Sequence, residues 1–197
     1  MNPLLEESSQ RQLVLASRSP RRYDLMTGMG FEFEVIPAGE DAEREAKCAD
    51  PHRLPEIAAR LKCDEVASKH PGAIVIAADT VVIQDGEILN KPAGDEEAVR
   101  FLERLEGRTH TVVTGVVIQR RDDGVDLSAS ESTQVKFRPL DAGEIAAYVA
   151  TGEGRDKAGS YAAQGLGSSL IESIDGCFYN VVGLPVALLC QLLRKIG

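Results

Sequence analysis

The chain has 197 residues, 43% of them hydrophobic and 27% charged, which is typical of a soluble globular protein that buries its own core. Its 31 acidic side chains outnumber the 22 basic ones, and the net charge of −9 argues against general nucleic-acid binding, which needs an excess of Lys and Arg. No apolar run is long enough to cross a bilayer, and residues 1–12 contain no signal-peptide pattern, so we expect no membrane association and a cytoplasmic location.

The first predicted strand and helix carry an unusual charge pattern. The apolar run over residues 13–16 predicts a buried strand. Ser19 and Pro20 are typical of the N-cap and the first position of a helix. Arg21 and Arg22 then occupy the first turn, where acidic residues are favoured because the free N–H groups carry partial positive charge. Two arginines there indicate a bound anion, most simply a phosphate, and the alternative is a pair of solvated arginines on a surface helix.

Hydrophobic spacing predicts the next elements. A helix over residues 20–29 is followed by a half-buried strand over 31–36 and an exposed acidic loop over 37–52. A second helix is predicted over 54–69, and Lys62 stands at the edge of its apolar stripe, where a solvated lysine is the ordinary interpretation. The apolar positions are Tyr23, Met26 and Met29 in the first helix, and Leu54, Ile57, Ala58, Leu61 and Val66 in the second.

Asp79 interrupts the strongest strand prediction, which covers residues 73–83. A charge at this point is costly to bury without partners. The functional interpretation is a rigidly held carboxylate that serves as a metal ligand or general base, and the alternative is an aspartate that caps a helix or bonds a turn. Thr80 is expected on the opposite face of the strand. Asp85-Gly86 turns the chain back, and this hairpin could bring Lys91 toward Asp79.

The second half of the sequence alternates helices with strands, and this order predicts a mixed α/β fold with an antiparallel portion in the middle. A helix over residues 95–105, capped by Asp95, precedes strands over 111–119 and 127–137 that are joined by a turn at 122–124. The remaining predictions are a capping box at Asp141 and Glu144, a glycine-rich segment over 152–167, strands over 169–174 and 178–182, and a last helix opened by residues 183–185.

The glycine-rich segment matches neither the G-x-x-x-x-G-K-[ST] phosphate loop nor a G-x-G-x-x-G that follows a strand. It is therefore either an irregular loop or a place where the backbone approaches a ligand closely. The four cysteines and three histidines are scattered, which predicts free thiols and argues against a zinc site. From the residues alone we infer an anion site at 17–22, a carboxylate centre at Asp79, and metal-assisted chemistry on a phosphorylated substrate.

Seven separated segments, in order from about residue 13 to the C-terminus, resemble the Maf family of nucleoside triphosphate pyrophosphatases. The resemblance implies an elongated, two-lobed α/β fold of the Maf/ITPase-like kind, with a central mixed sheet and the site in a cleft between the lobes. Residues 13–197 are then one such domain, and residues 1–12 are expected to be a flexible extension. The segments are Leu-Ala-Ser-Arg-Ser-Pro-Arg-Arg (15–22), Ala-Arg-Leu-Lys-Cys (59–63), Ala-Ala-Asp-Thr-Val-Val (77–82), Leu-Asn-Lys-Pro (89–92), Thr-His-Thr-Val-Val-Thr-Gly (109–115), Asp-Lys-Ala-Gly-Ser-Tyr-Ala-Ala-Gln-Gly (156–165) and Val-Val-Gly-Leu-Pro (181–185).

The same resemblance implies an activity. A nucleoside triphosphate would be hydrolysed to the monophosphate and pyrophosphate by attack of water on the α-phosphorus, assisted by a divalent cation, Mg²⁺ or Mn²⁺. Asp79 would be the proton acceptor, and Arg21, Lys62 and Lys91 would hold phosphates, with the two lysines as catalytic residues. Because an ionised aspartate is a natural ligand for Mg²⁺ or Mn²⁺, we hypothesise that Asp79 is also a metal ligand and acts through a metal-bound water.

The resemblance also implies which residues select and bind the substrate. Thr80 and Gln164 are similar to those of the subgroup that acts on dTTP and UTP, so Arg21, Thr80 and Gln164 are the expected specificity positions. The anion site inferred from the residues themselves, at 17–22, adds Ser17, Ser19 and Arg22 to the expected binding set for the triphosphate.

One segment departs from the family pattern, which has an Asp-Glu pair shortly after the second strand. The sequence here is Gly-Glu-Asp-Ala-Glu-Arg over residues 39–44, so a second metal ligand could come from Glu40, Asp41 or Glu43.

Two other functions compete with hydrolysis of dTTP and UTP. One is a hydrolase for other modified nucleotides such as 7-methyl-GTP, and the other is a non-catalytic, nucleotide-binding regulator of cell division. Asp79, Lys62 and Lys91 favour catalysis, since a protein that only binds could dispense with the carboxylate. The sequence leaves open which metal is used and whether the chain acts as a monomer or a homodimer.

Overall fold

The computed structural model describes residues 12–39 and 45–196 of the chain. The strands are β1 (Leu13–Leu15), β2 (Phe33–Val35), β3 (Ile74–Gln84), β4 (Glu87–Leu89), β5 (Thr109–Arg120), β6 (Val125–Phe137) and β7 (Ile171–Asp175). The α-helices are α1 (Pro20–Gly28), α2 (Leu54–Lys69), α3 (Asp95–Leu105), α4 (Ala142–Ala150), α5 (Phe178–Val182) and α6 (Val186–Leu193), and short 3₁₀ turns cover Arg121–Asp123, Ala158–Ser160 and Gly165–Leu170.

The seven strands form one sheet in the order β2-β1-β3-β5-β6-β7, with β4 paired to β3. β1 pairs in parallel with β2 and with β3, whereas β4 runs antiparallel to β3 and β7 antiparallel to β6. The sheet is therefore mixed, and the predicted mixed α/β fold is confirmed. The predicted division into a short extension and one two-lobed domain with a cleft stays a prediction, and residues 1–11 lie outside the described residues.

The chain divides into two compact units. The first holds the described residues up to Asp79, together with Thr114–Glu131 and those from Gly183 onward. The second comprises Thr80–Val113 and Ser132–Val182. Strands β3, β5 and β6 each contribute residues to both units.

Helices cover both faces of the sheet in the first unit. Leu13 and Leu15 of β1 belong to the same buried cluster as Met26 of α1 and Leu189 of α6, whereas Val14 belongs to a second cluster with α2. Because side chains alternate along a strand, a strand buried on both faces has an unbroken apolar run, as residues 13–16 do. The α2 members of the second cluster are Ala59, Cys63, Val66 and Ala67.

The second unit has its own core. Val112, Val135 and Phe137 of the sheet pack with α3 and α4. The residues that these helices bury are Ala98, Leu102 and Leu105 in α3, and Ile145, Tyr148 and Val149 in α4.

Several local predictions agree with the structure. The bounds of α2 and α3 are those predicted, and the capping box is present, with Asp141 accepting from the Glu144 amide and Glu144 accepting from the Asp141 amide. The four cysteines are free thiols, as expected. Within residues 12–39 and 45–196, the helices lack the combined length and hydropathy that a membrane span requires.

Two predicted helix details are wrong. Tyr23 is exposed and contacts Phe33 edge-on, because Arg22 and Met26 take the buried positions of α1. Asp95 does not cap α3: Gly94 occupies the N-cap, and the Asp95 carboxylate pairs with Arg155.

The predicted strand over 178–182 is also wrong, because these residues form α5. Its Phe-Tyr-Asn-Val-Val sequence favours a strand locally, but tertiary hydrogen bonds override that preference. The fully buried Asn180 donates through Nδ2 to the Val112 carbonyl at 3.0 Å and to Thr133 Oγ1 at 2.9 Å. Thr133 Oγ1 also accepts from the Cys177 amide, which fixes the start of the helical turn.

Candidate active site

Ser17 organises the turn from β1 into α1. Its buried Oγ accepts from the Ser19 amide at 3.2 Å and from Arg22 Nη1 at 3.2 Å, while Arg22 Nε donates to the Gly183 carbonyl at 2.8 Å. Ser19 occupies the predicted N-cap position, but its side chain makes no capping hydrogen bond. The structure therefore brings Ser17, Ser19 and Arg22 together and ties the turn to the residue two positions before Pro185.

The two arginines of this turn differ in exposure. Only 8% of Arg22 is accessible, whereas Arg21 is partly exposed. The internal hydrogen bonds of Arg22 were not apparent from the sequence, since its partner Gly183 lies 161 residues away. The binding roles of both arginines stay predictions.

Lys62 and Asp79 form an ion pair in the first unit. Lys62 Nζ lies 2.6 Å from Asp79 Oδ1, and the two side chains are 9% and 15% exposed. A pair with so little water around it is costly to assemble, because both charges lose hydration. Lys62 therefore does not occupy the solvated position that is ordinary for a lysine at the edge of an apolar stripe, and Asp79 caps no helix within the described residues.

The packing of α2 explains why Lys62 faces the sheet. The buried face of α2 is offset from the predicted stripe, so that Leu54, Ile57 and Leu61 are only partly buried. Small side chains on the buried face let the helix lie close to the sheet, and Lys62 shares that face. Its members are Pro55, Ala58, Ala59, Lys62, Cys63, Val66 and Ala67.

The register of β3 explains why Asp79 meets Lys62. Val75 and Ala77 point toward α2 and pack in its cluster. Asp79 continues the same alternation, whereas Thr80 falls on the other side of the strand. The sequence pattern gave no sign that a helix lysine would meet the Asp79 carboxylate.

The remaining predicted site residues lie in the second unit. Thr80 is partly buried on β3, Lys91 is exposed just beyond β4, and Gln164 is exposed at the N-cap position of the 3₁₀ turn Gly165–Leu170. The Asn90 carbonyl, next to Lys91, accepts from the Gly159 amide at 3.2 Å, and this bond joins the segment 89–92 to the segment 156–165. The roles of Thr80, Lys91 and Gln164 stay predictions.

Asp79 suits one kind of metal site. Residues 12–39 and 45–196 contain no cluster of three or more His, Cys, Asp or Glu side chains able to hold a metal ion. Mg²⁺ is often bound by one or two carboxylates together with substrate phosphates, and Asp79 supplies a hard oxygen ligand of that type. The predicted alternatives for a second ligand, Glu40, Asp41 and Glu43, lie outside the described residues.

The chain also matches known proteins. A family model described as Maf-like protein matches residues 12–196. The chain belongs to the Maf family. This Maf chain is 46% identical over 187 residues to the dTTP/UTP pyrophosphatase of Symbiobacterium thermophilum, covering 95% of each chain. It is 44% identical over 186 residues to the dTTP/UTP pyrophosphatase of Deinococcus radiodurans, covering 94% of this chain and 93% of that one.

A solved structure shares the fold of this Maf chain. The Staphylococcus aureus Ham1 protein superposes with a TM-score of 0.54 at 15% identity, covering 95% of this chain and all of the other. At that identity the likeness concerns the fold alone, and it agrees with the Maf/ITPase-like architecture expected from the sequence.

Proposed function

We propose that this Maf-family chain is a nucleoside triphosphate pyrophosphatase that converts dTTP and UTP to their monophosphates and pyrophosphate. Two relatives with that name are 44–46% identical over nearly the whole chain. The observation that carries the proposal is the ion pair between Lys62 and Asp79, because it puts a carboxylate and an ammonium group 2.6 Å apart with little exposure. The proposed location is the cytoplasm, where such substrates occur.

Asp79 is the proposed proton acceptor. A positioned carboxylate can take a proton from the water that attacks the α-phosphorus. The hydrogen bond from Lys62 holds Oδ1 in place, so the carboxylate enters the reaction with its orientation already set. The lysine ammonium, in turn, can stabilise negative charge that develops on phosphate oxygens.

The triphosphate is proposed to bind through basic groups. Lys62 and Lys91 hold phosphates, and Arg21 adds a guanidinium that can contact phosphate oxygens through two N–H groups. The buried hydrogen bonds of Ser17 and Arg22 support this role indirectly, since they fix the turn that carries Arg21. Ser19 is also proposed to bind the triphosphate, and Arg21, Thr80 and Gln164 are the proposed specificity residues.

A divalent cation, Mg²⁺ or Mn²⁺, is the proposed cofactor, with Asp79 as one ligand and an acid among Glu40, Asp41 and Glu43 as another. When bound, such a cation neutralises charge on the phosphate oxygens of the substrate. Asp79 would then serve both as a ligand and as a proton acceptor.

Replacing the Asp79 carboxylate tests the proposal. Asp79→Asn keeps the shape of the side chain but removes a proton acceptor, so pyrophosphate release from dTTP and UTP should fall by about 10²–10⁴-fold. The matched control is Asp126→Asn, which removes an exposed carboxylate that pairs with Arg60 in the same unit and should leave the rate within about twofold. Near-normal turnover by Asp79→Asn would rule out its assignment.

The product distinguishes this function from its competitors. A panel of triphosphates that includes dTTP, UTP and 7-methyl-GTP is incubated with Mg²⁺ or Mn²⁺, and pyrophosphate and orthophosphate are measured separately. Pyrophosphate from dTTP and UTP is expected. Preferential hydrolysis of 7-methyl-GTP would indicate that modified nucleotides are the substrates. Binding of nucleotides without any turnover would favour a non-catalytic regulator.

A further inference from the structure

The Glu153 carboxylate is bound by the segment that follows Gln164. Glu153 Oε1 accepts from the Leu166 amide at 2.9 Å, and Oε2 accepts from the Gly167 amide at 2.8 Å. The Tyr148 hydroxyl also donates to Oε2, at 2.9 Å. All these residues lie in the second unit. One carboxylate thus joins α4, through Tyr148, to the 3₁₀ turn Gly165–Leu170.

Glu153 does the work that an N-cap side chain ordinarily does. The first N–H groups of a helical turn have no partner within the turn, and an N-cap side chain commonly accepts from them. Gln164 occupies the N-cap position here, but its side chain makes no capping hydrogen bond. Because Glu153 satisfies the amides of residues that lie 13 and 14 positions away in sequence, the Gln164 side chain is not used for capping and is exposed.

The glycines of Gln-Gly-Leu-Gly fit this arrangement. Gly165 has a φ of +65°, and a Cβ added to it would lie 2.3 Å from Glu153 Oε1. A Cβ on Gly167 would lie 2.2 Å from the Ala162 carbonyl oxygen and 2.7 Å from the Tyr148 hydroxyl. A Cβ at Gly167 would collide with backbone, and the positive φ of Gly165 strains any other residue, so the turn that Glu153 binds needs glycine at both positions.

The other end of the connection is anchored. Tyr148 is 6% exposed in the core of the second unit, and its hydroxyl accepts from the Ala162 amide at 3.1 Å. The Glu153 amide donates to Thr151 Oγ1, and the Glu153 carbonyl accepts from Lys157 Nζ at 2.6 Å. Burial acts to raise the pKa of Glu153, but the amides of the turn and the Tyr148 hydroxyl hold that pKa below its ordinary value, so the carboxylate stays ionised near neutral pH.

We propose that Glu153 is a positioning residue that sets the place of Gln164 through the Leu166 and Gly167 amides, and thereby determines the selectivity for the nucleotide base. This inference rests on the proposed function, in which Gln164 is a specificity residue. Glu153 acts through the backbone of the turn and needs no contact with the substrate.

Glu153→Gln tests the inference because the amide keeps the size of the side chain but replaces one acceptor oxygen by a donor that faces an N–H group. We expect the ratio of kcat/KM for dTTP to that for dCTP to fall about tenfold, because Gln164 would move out of the position in which it discriminates between the bases. Gln164→Ala should lower the same ratio, and adding Glu153→Gln to it should lower the ratio no further, because both changes remove one effect.

The matched control is Glu144→Gln. Glu144 is a carboxylate of the same unit that also accepts from a backbone amide, in the capping box of α4, but it does not touch the turn after Gln164. It should lower thermal stability without changing the dTTP to dCTP ratio. A merely structural role for Glu153 would give the same result as this control.

The outcomes separate the two proposals. A wild-type chain that releases no pyrophosphate from any nucleotide overturns the proposed function and this inference with it. An active wild type whose base selectivity is unchanged in Glu153→Gln overturns the inference alone. If Glu153→Gln does not fold, Tyr148→Phe removes the bond from the hydroxyl to the carboxylate, and the same comparison with Gln164→Ala decides: an unchanged ratio counts against the inference and a lowered, non-additive ratio supports it.

Discussion

At the first turn of α1, Arg21 and Arg22 are consecutive but meet different surroundings. Arg22 is buried and donates to the Gly183 carbonyl and to Ser17 Oγ. Arg21 is partly exposed. A guanidinium that holds two protein acceptors in a buried position contributes to stability, whereas a partly exposed one at a helix N-terminus can meet an anion.

Arg21→Lys should therefore lower kcat/KM for dTTP and UTP more than Arg22→Lys does. Arg22→Lys should instead lower the free energy of unfolding by about 1–3 kcal/mol, since an ammonium group cannot reproduce the geometry of the two guanidinium bonds. Steady-state kinetics and urea unfolding of both variants measure the two effects. Equal losses of kcat/KM in the two variants would show that Arg21 has no role in substrate binding beyond that of a general positive charge.

At the scale of elements, the contact of α2 with β5 supports the ion pair of Lys62. A Cβ added to Gly115 of β5 would lie 2.4 Å from the backbone N and Cα of Glu56, near the start of α2. The Glu56 carboxylate also accepts from the Ser128 and Ser130 hydroxyls of the neighbouring strand β6. The helix that carries Lys62 therefore begins at a place where only glycine leaves enough room.

Gly115→Ala should push the start of α2 away from the sheet. The clash is with backbone rather than with a flexible side chain, so we expect a loss of about 1–3 kcal/mol in the free energy of unfolding. Pyrophosphate release should also fall, because Lys62 moves with the helix. Gly28→Ala is the control, since a Cβ there meets nothing within 4 Å. Equal stability of the two variants would contradict the proposed close contact.

At the scale of the whole molecule, a buried histidine makes stability depend on pH. His110 is 2% exposed, lies edge-on to Phe137 and Tyr161, and shares a 2.8 Å hydrogen bond between Nε2 and the Tyr161 hydroxyl. Its Nδ1 finds no partner among the described residues. Burial lowers the pKa of His110 from 6.5 to about 4, because a charged imidazolium would lose its hydration.

The sign of the effect follows from this lowered pKa. Between pH 6.5 and about 4 the unfolded chain binds a proton at His110 and the folded chain does not, so the folded state is fully favoured above pH 6.5 and loses stability as pH falls. One such proton contributes a slope of about 1.4 kcal/mol per pH unit, or about 3 kcal/mol over the window. Urea unfolding at several pH values measures the slope.

His110→Asn provides the comparison for this slope. The variant cannot titrate, so its stability should vary less between pH 6.5 and 4.5 than that of the wild type, whatever its stability at pH 7.5. Carboxylates that titrate in the same pH range are present in both proteins, so their contribution cancels when the two slopes are subtracted. The same slope in both proteins would show that His110 does not contribute.

Local patterns determined much of the fold. The helix over 54–69 and the helix over 95–105 follow from hydrophobic spacing, and the Asp141 capping box follows from two residues that are three positions apart. Asp79 could be singled out for a similar reason, since a charge inside an apolar strand is visible without knowledge of its neighbours. These features depend on residues within a few turns of chain.

Tertiary contacts decided what the sequence could not. From its spacing alone Lys62 is predicted to be a surface lysine, but in the fold it pairs with Asp79 of β3. From its position alone Arg22 is one of two basic residues at a helix start, but in the fold it donates to the Gly183 carbonyl, 161 residues away. The local sequence of residues 178–182 favours a strand, but the hydrogen bonds from Asn180 to Val112 and Thr133 stabilise a helix. The physical reason is common to all three: burial removes water as a partner, so a polar side chain takes its role from the donor or acceptor that the fold places beside it.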